Sequence, residues 1–318
     1  MNILIVGSGS IGSEIAYTFY PSAHITCIDH GKHFESLKKI LPRINYVKGD
    51  IHNPSFIEKI LDAPDIIFYC IDTGSVVSCM EDPSKYEKIN TSLFHIFLDN
   101  LYKKFNPHFF LLSSIFVYPD IDEISEKTKP SPETLYGKLR LKQEKILQEY
   151  SSNYTILRLS NIFGYGYFHD IGNQGAIEKF IDCVFSLKNI SVHGNGKQLV
   201  DYLHKPDLMN LLKILVQTTP KTIYNVSSGN SKLIIDVAKI ISKIGLEKFD
   251  QKIETLVMSN TKLSNSPKII PNKIKLTFQK FIHPEYFQLY GEFIPKLSIL
   301  DVIFNIGPEN TLKKLNHR

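Results

Sequence analysis

A phenol, a guanidinium and a hydroxyl occupy positions from which they could carry out acid–base chemistry together. Tyr136 and Arg140 are four residues apart in a segment with helical periodicity, so both side chains lie on one face of the helix. Ser114 ends an apolar run that predicts a buried strand. Free tyrosine has a pKa near ~10 and needs an adjacent cation to act as a base at neutral pH. A tyrosine–arginine pair on a helix is commonly an ordinary surface contact, so the surrounding elements decide its interpretation.

The first twelve residues contain three glycines with the spacing G-x-G-x-x-G. Residues 3–6 form a β-branched run that predicts a buried strand, and apolar residues recur at helical spacing after Gly12. In such a turn Gly7 permits a tight bend, Gly9 lets a pyrophosphate approach the backbone, and Gly12 lets the helix pack on the strand. The helix N-terminus adds unpaired N–H groups and a positive dipole end. This segment predicts a dinucleotide-binding site.

An acidic residue follows the second predicted strand, which covers residues 24–29. Asp29 lies at about the distance from the glycines at which a dinucleotide ribose is held. A carboxylate there accepts from a free 2′-hydroxyl and repels a 2′-phosphate, so NAD is favoured over NADP. The alternative is a turn residue before Gly31.

Strands and helices alternate through the first half of the chain. Further strands are predicted at residues 44–51, 65–71, 108–114 and 154–159, and helices at 37–41, 56–61, 86–101 and 132–150. A loop is predicted up to Pro83, and Ser131 with Pro132 is predicted to begin the helix of Tyr136. This alternation implies an α/β fold with a Rossmann-type, doubly wound parallel sheet. Its ligand edge would collect Gly7, Asp29, Asp50, Asp72 and Ser114.

The alternation fades beyond Gly164. Helices are predicted at 176–187 and 233–244, a strand returning to the sheet at 224–229, and an exposed loop at 260–273. We therefore predict an NAD-binding domain over residues 1–165, to which roughly 195–230 return. Residues 166–194 and 231–318 would form a smaller C-terminal substrate-binding domain.

Composition is that of an ordinary globular protein, with 43% hydrophobic and 22% charged residues. The net charge of +5 includes no polybasic block, so neither nucleic acid nor a membrane surface is an expected partner. The four cysteines and eleven histidines share no ligand-like spacing, and no metal site is predicted. With no signal peptide before the first strand and no membrane-length apolar run, the expected location is cytoplasmic.

Several longer motifs occur in a fixed order along the chain. Ser114 fits an S-x-x-V-Y-G pattern, Tyr136 a Y-x-x-x-K pattern, and Asn161 an R-x-x-N-x-x-G strand. Other matching residues are Asp50, Ile51, Ser75, Val76, Pro83, Tyr86, Asn90, Glu144, the segments 194–198 and 201–204, Tyr224 and Asn225. From residue 1 to about 245, the chain resembles the NAD-dependent epimerase/dehydratase family of extended short-chain dehydrogenases/reductases. Members of this family mostly act on nucleotide-activated sugars.

The resemblance implies a set of roles. Tyr136 as phenolate would remove a proton from a sugar hydroxyl while hydride passes to NAD, with Ser114 bonded to the reacting oxygen and Arg140 supplying charge. The candidate cofactor contacts are Gly7, Gly9, Ser10, Ile11, Gly12, Asp29, Asp50, Ile51, Cys70, Tyr136 and Arg140. The candidate substrate contacts are Ser75, Ser114, Asn161 and His204. Plainer alternatives are a capping hydroxyl for Ser114, a loop-satisfying amide for Asn161 and a packed histidine for His204. A homodimer is the candidate assembly.

The chain departs from the family at several positions. Arg140 stands where the family has lysine, Ile71 and Asp72 replace a small pair, Val200 replaces a phosphate-holding arginine, and Pro119 replaces glycine. Asp72 is interpreted as a turn former before Gly74 or a substrate contact.

Three functions compete. The first is a nucleotide-sugar epimerase that retains NAD and passes through a keto-sugar intermediate. The second is a nucleotide-sugar dehydrogenase or ketoreductase, which would consume NAD(H) steadily. The third is a non-catalytic NAD-binding regulator. A 4,6-dehydratase is disfavoured, because the resemblance implies Asp-Glu after the catalytic hydroxyl and the chain has Ile115 and Phe116.

Overall fold

Seven parallel strands form the central sheet. The computed structural model describes residues 1–20, 22–29, 34–50, 53, 63–71, 74–164, 175–249, 254–258 and 268–269. The strands are β1 (Asn2–Val6), β2 (His24–Asp29), β3 (Asn45–Lys48), β4 (Ile66–Tyr69), β5 (His108–Ser114), β7 (Tyr154–Leu159) and β11 (Thr222–Val226). Their order is β11-β7-β5-β4-β1-β2-β3, and every pairing is parallel. The strand order reverses at β1: β2 and β3 lie on one side of it, and β4 with the later strands lies on the other. Ligands bind at this point between β1 and β4 in such sheets. The predicted Rossmann-type fold is confirmed.

Helices cover both faces of this sheet. They are α1 (Ser10–Phe19), α2 (Phe34–Ile40), α3 (Val76–Glu81), α4 (Pro83–Lys88), α5 (Phe94–Lys104), α6 (Leu135–Tyr150), α7 (Ala176–Phe185), α8 (Lys205–Thr218) and α9 (Ile234–Phe249). A π-helical segment, Ile89–Leu93, joins α4 to α5, and a 3₁₀ turn, Ile115–Val117, follows β5.

Alternate side chains of β1 explain how the helices divide between the two faces. Ile3 and Ile5 belong to a buried cluster with Phe19 of α1 and Leu212 of α8. The intervening β1 residues face a second cluster built with α5 and α6, which includes Leu4, Val6, Phe97, Leu98, Ile146 and Leu147. Because α1 and α8 share one face and contact each other, the N-terminus of α8 is held close to the glycine turn.

Smaller sheets lie outside the central one. Strand β10 (Leu199–His204) pairs with β8 (Asn161–Phe163) and β12 (Ser231–Leu233). Strand β9 (Ile190–His193) pairs with β13 (Thr255–Met258), and β6 (Glu123–Ile124) with β14 (Lys268–Ile269). A separate buried cluster joins α7, β9 and α9. The domain boundaries drawn from the sequence stay a prediction.

Four local predictions were wrong or incomplete. The loop predicted up to Pro83 contains α3, which Ser75 and Ser78 cap reciprocally. The helix of Tyr136 begins at Leu135 rather than Pro132, because the Thr134 hydroxyl, not Ser131, accepts from its first turn. The helix predicted at 86–101 is interrupted by the π-helical segment. Within the loop predicted at 260–273, residues 268–269 form β14, and the rest lies outside the described residues, as does the helix predicted at 56–61.

Candidate active site

The G-x-G-x-x-G segment forms the turn between β1 and α1. Gly7 has a φ of +93°, in the left-handed region that favours glycine, so the predicted bend is present. A Cβ on Gly12 would clash with the carbonyl oxygen of Gly7, so glycine permits α1 to pack closely on β1. A Cβ on Gly9 would meet no heavy atom of the described residues within 4 Å. Open space therefore adjoins the turn at Gly9, where we expect the pyrophosphate.

Cys70 lies beside this turn, just beyond the end of β4. Its backbone N–H donates to Val6 at 2.8 Å, and its side chain lies close to Gly12. Burial raises the pKa of the Cys70 thiol. The thiol is therefore protonated at neutral pH and contributes a small apolar surface at the point where β1 and β4 meet.

Asp29 ends β2 and braces the glycine turn. Its Oδ2 accepts from the backbone N–H of Ser8 at 2.6 Å and from the Ser8 hydroxyl at 2.8 Å. The N–H of Gly7 donates to the carbonyl of Ile28 at 2.9 Å. The sequence did not predict this bracing. The ribose contact proposed for Asp29 stays a prediction.

A buried lysine reaches the first residue of α1 from the far half of the chain. Lys205 begins α8 and is 5% exposed, and its Nζ donates to Ser10 Oγ at 2.9 Å. Burial lowers the pKa of Lys205, while the carboxylates of Glu14 and Glu178 act in the opposite direction. Sequence reasoning missed this residue. A lysine at the start of an apolar helix, next to His204, is the only signal that could have pointed to it.

Tyr136 and Ser114 are brought together by the contact between α6 and the turn after β5. Ser114 is buried, and its Oγ accepts from the N–H of Phe116 at 3.3 Å, as in the capping alternative. The hydroxyl hydrogen is left for donation to another oxygen. The rings of Phe116 and Tyr136 meet edge to face, with centroids 6.0 Å apart. A Cβ on Gly137 would clash with the carbonyl oxygen of Phe116, so glycine allows this approach of helix and turn.

Arg140 stacks over the ring of Tyr136. Its Cζ lies 5.2 Å from the ring centroid, and Nη1 donates to Gln143 Oε1 at 3.2 Å. Arg140 is 5% exposed and Gln143 is fully buried. Burial raises the pKa of nearby Tyr69, and the Arg140 charge acts in the opposite direction. The predicted cation thus lies beside the phenol, against the face of its ring.

A second buried arginine belongs to a network inside the protein. Arg158 donates from Nε to Glu144 Oε1 at 3.0 Å, from Nη2 to Glu144 Oε2 at 2.6 Å, and from Nη1 to Tyr118 Oη at 2.7 Å. Glu144 also accepts from Ser113 at 2.5 Å, and Tyr118 donates to Asn225 at 2.9 Å. This network ties α6 to β5, β7 and β11, directly behind the residues of the candidate site.

The candidate substrate residues lie in two places. Ser75 caps α3, because its Oγ accepts from the N–H of Ser78 at 3.1 Å. Asn161 and His204 lie at opposite ends of the paired strands β8 and β10. Burial, with a smaller effect of Lys205, lowers the pKa of His204 to about 4, and its ring packs against Phe163. His204 is therefore neutral at pH 7. Its packed environment agrees with the plainer alternative, and its substrate contact stays a prediction.

The remaining candidates are less informative. Asp50 is exposed beyond β3, and Ile51 and Asp72 lie outside the described residues.

No group of three or more His, Cys, Asp or Glu side chains in the described part of the chain could hold a metal ion. Among the helices that the structure describes, none combines the length and the apolar character needed to span a membrane.

Two sequence families match the chain. A model of the NAD dependent epimerase/dehydratase family matches residues 3–227. A model of the WbqC-like protein family matches residues 201–313, which overlaps the end of the first match.

Curated relatives are similar over about three quarters of the chain. One is the trifunctional UDP-glucose 4,6-dehydratase/UDP-4-keto-6-deoxy-D-glucose 3,5-epimerase/UDP-4-keto-L-rhamnose-reductase of Arabidopsis thaliana, 25% identical over 265 residues. That match covers 76% of this chain and 39% of the plant protein. Another is the dTDP-D-glucose 4,6-dehydratase of Mus musculus, 24% identical, covering 73% of this chain and 69% of the mouse protein.

Solved structures share the fold. UDP-glucose 4-epimerase from Thermotoga maritima, with UDP-glucose, has a TM-score of 0.76 at 19% identity, covering 99% of this chain and 100% of that chain. UDP-glucuronic acid 4-epimerase from Bacillus cereus, with UDP-glucuronic acid and NAD, has a TM-score of 0.72 at 20% identity, covering 86% and 90%. DesIV, a dTDP-glucose 4,6-dehydratase from Streptomyces venezuelae with NAD and TYD bound, has a TM-score of 0.73 at 17% identity, covering 85% and 88%.

Proposed function

This chain belongs to the NAD dependent epimerase/dehydratase family, and on that premise we propose that it is a nucleotide-sugar epimerase acting through a transient keto-sugar intermediate. The observation that carries the proposal is Tyr136 at the start of α6, with the Arg140 guanidinium 5.2 Å from its ring centroid and the Ser114 turn packed beside it. A base, a cation and a hydroxyl donor are protein groups that can take the proton and hold the oxygen while a dinucleotide oxidises a secondary alcohol.

The residues around the glycine turn fit NAD. Gly9 leaves open space, the N-terminus of α1 has no side-chain cap, and its first turn has no acidic residue. These features suit a pyrophosphate, which the helix dipole and free N–H groups favour. Asp29 stands at the end of β2, where a ribose hydroxyl would meet it. When bound there, NAD would supply the hydride chemistry, accepting a hydride from the sugar carbon and giving it back.

The side chains of the chain handle the proton and the substrate oxygen. Tyr136, as phenolate, removes the proton of the sugar hydroxyl as the carbon–hydrogen bond breaks, which leaves a carbonyl and a neutral phenol. Ser114 donates to the reacting oxygen throughout. Arg140 stabilises the phenolate through its positive charge. After the keto sugar rotates in the site, the same phenol returns the proton as hydride adds to the opposite face of the carbonyl carbon.

The nucleotide sugar is the substrate class that the relatives support. Two of the structural neighbours carry UDP-glucose or UDP-glucuronic acid, and the names of the curated relatives specify UDP- or dTDP-glucose. Those curated relatives are 4,6-dehydratases, which makes dehydration the second candidate. The residues after Ser114 oppose it. Ile115 is 1% exposed and Phe116 packs on Tyr136, so neither supplies the acid that elimination of water needs.

A panel of UDP- and dTDP-hexoses, incubated with the protein and NAD, tests the reaction. Nuclear magnetic resonance should detect an epimer of the substrate, mass spectrometry should show an unchanged mass, and NADH should not accumulate. A product lighter by one water identifies a dehydratase, and steady NADH formation identifies a dehydrogenase. Binding of NAD without turnover of any sugar identifies a regulator. Each of these three results overturns the epimerase proposal.

Cofactor choice is tested separately by calorimetry with NAD and NADP. On the proposed role of Asp29, the extra phosphate of NADP would lie close to its carboxylate, and like charges at a binding site are costly. We expect NAD to bind at least about tenfold more tightly, a difference of about 1.4 kcal/mol. Equal binding of both dinucleotides contradicts the role given to Asp29.

A further inference from the structure

The position of Lys205 is unusual for an ammonium group. Lys205 is only 5% exposed. Its side chain extends from the first residue of α8 to Ser10, the first residue of α1. An ammonium carries three N–H donors. Within the residues that the structure describes, Ser10 Oγ at 2.9 Å is the one hydrogen-bond acceptor of Lys205 Nζ. Burying a charge with unused donors is costly unless another partner completes its shell.

The nearby carboxylates do not supply that shell. Glu178 Oε1 accepts a hydrogen bond from the backbone N–H of Gly164 at 2.8 Å. Glu14, on the next turn of α1 after Ser10, acts on Lys205 through its charge. Burial lowers the pKa of Lys205, and both carboxylates act in the opposite direction. The two carboxylates therefore offset part of the cost of burying a positive charge beside the glycine turn.

The ammonium is directed at a place already suited to an anion. Ser10 begins α1, whose N-cap is Gly9 and whose first-turn N–H groups receive no side-chain cap. Open space adjoins Gly9. Ser10 Oγ accepts from Lys205, so the serine hydroxyl keeps its own hydrogen for donation to another oxygen. Backbone N–H groups, a hydroxyl and an ammonium thus lie together at the start of α1.

We propose that Lys205 is a cofactor-binding residue that, together with Ser10, holds the pyrophosphate of the dinucleotide. The inference rests on the proposed function for the identity of its ligand. A diphosphate could also come from the nucleotide sugar. The hydrogen bond to Ser10, in the turn that opens α1, favours the dinucleotide, and binding of UDP serves as the second arm of the test.

Calorimetry on Lys205→Met tests the role, because methionine has a similar length and no charge. We expect NAD and ADP-ribose to bind about tenfold to a hundredfold more weakly, as for the loss of a charged hydrogen bond. Adenosine, which has no phosphate, should bind as it does to the unaltered protein, and so should UDP. Lys213→Met, on the exposed side of α8, is the matched control and should change none of these affinities.

Several outcomes overturn the inference. They are undiminished binding of NAD by Lys205→Met, equal weakening of adenosine and ADP-ribose, and a loss confined to UDP. Failure of the unaltered protein to bind NAD defeats the proposed function itself, whereas normal NAD binding by both proteins defeats only the role of Lys205.

The unaltered protein provides a test that does not depend on the folding of the variant. Loss of the Lys205 proton at alkaline pH removes its charge, so affinity for ADP-ribose should fall as pH rises, while affinity for adenosine stays constant. Parallel pH dependence of the two ligands contradicts the inference. Lys205→Arg, which keeps the charge, should retain part of the ADP-ribose affinity and remove the alkaline loss.

Discussion

Arg158 and Lys205 are both buried cations, yet the protein satisfies them to very different degrees. Arg158 is 4% exposed and donates to Glu144 and Tyr118 through all three of its nitrogens. Lys205 is 5% exposed and has one hydrogen bond within the described residues, to Ser10. A cation whose three nitrogens all donate within the protein, and whose charge a buried carboxylate balances, offers little to a ligand, so Arg158 maintains the fold. A buried cation with donors left over, beside an open turn, has capacity for an anion.

The same contrast applies to two tyrosines, Tyr118 after β5 and Tyr136 in α6. The Tyr118 hydroxyl donates to Asn225 and accepts from Arg158, whereas Tyr136 lies half-buried at the start of α6, under Arg140. Substitutions behind the site should therefore change stability, and substitutions at the site should change binding or turnover. The following predictions test that separation, beginning with the largest effect.

Replacing Tyr136 with phenylalanine should abolish most of the activity. Removal of a general acid–base group lowers turnover by roughly 10²–10⁴-fold, while the melting temperature should hardly change. Tyr118→Phe is the matched control. It should retain turnover but lose about 1–3 kcal/mol of stability, because Arg158 and Asn225 lose a buried partner. Kinetics and thermal unfolding of both variants check the pair, and a folded, fully active Tyr136→Phe would move the base elsewhere.

Glu144→Gln should strongly destabilise the protein. The change leaves the Arg158 guanidinium buried without its counter-charge, which costs about 3–5 kcal/mol in comparable cases. Glu149→Gln, at an exposed position of the same helix, should stay within about 0.5 kcal/mol. Urea unfolding measures both. Equal stabilities of the two variants would show that the network does not maintain the fold.

Arg140→Ala should lower turnover by roughly 2- to 30-fold, because it removes the positive charge that lies over the Tyr136 ring, a contact that contributes about 0.5–2 kcal/mol. NAD binding should also weaken. Arg140→Lys should retain the fold and part of the activity. Steady-state kinetics and calorimetry measure both variants, and undiminished turnover of the alanine variant would remove the cation from the proposed mechanism.

Acid should destabilise the protein partly through His204. Its folded pKa of about 4 is below the ordinary value, so the unfolded chain binds the proton more readily. The stability contributed by the neutral imidazole is complete above about pH 6.5 and is lost as pH falls toward about 4. His204→Gln should reduce this loss by roughly 2 kcal/mol, as measured by urea unfolding at pH 7 and 5. Substitution of the exposed His24 is the control, and equal losses in all three proteins would contradict the prediction.

The parts of the fold that the sequence predicted well depend on local patterns. Buried strands such as β1, β2 and β5 are short apolar runs with sharp ends, and their bounds agree with the prediction to within one residue. The glycine spacing predicted both the bend at Gly7 and the packing at Gly12, because each requirement concerns neighbouring backbone atoms.

The errors arose where one hydrogen bond decides between neighbouring residues. Ser131, Thr134 and Ser75 are all acceptable caps by type, and only the geometry shows that Thr134 and Ser75 accept from helical N–H groups. Long-range contacts are harder still. Lys205 meets Ser10 across 195 positions, and the pairing follows only once α1 and α8 lie side by side on the same face of the sheet.

Gly137 fixes how closely α6 approaches the turn that follows Ser114. Backbone atoms of α6 and of the turn after Ser114 are in direct contact there, so the absence of one methyl group sets the spacing between the hydroxyl and the phenol. The side chains of β8 and β10 take no part in that contact. Substitutions on those strands should therefore leave the distance between α6 and the turn after Ser114 unchanged.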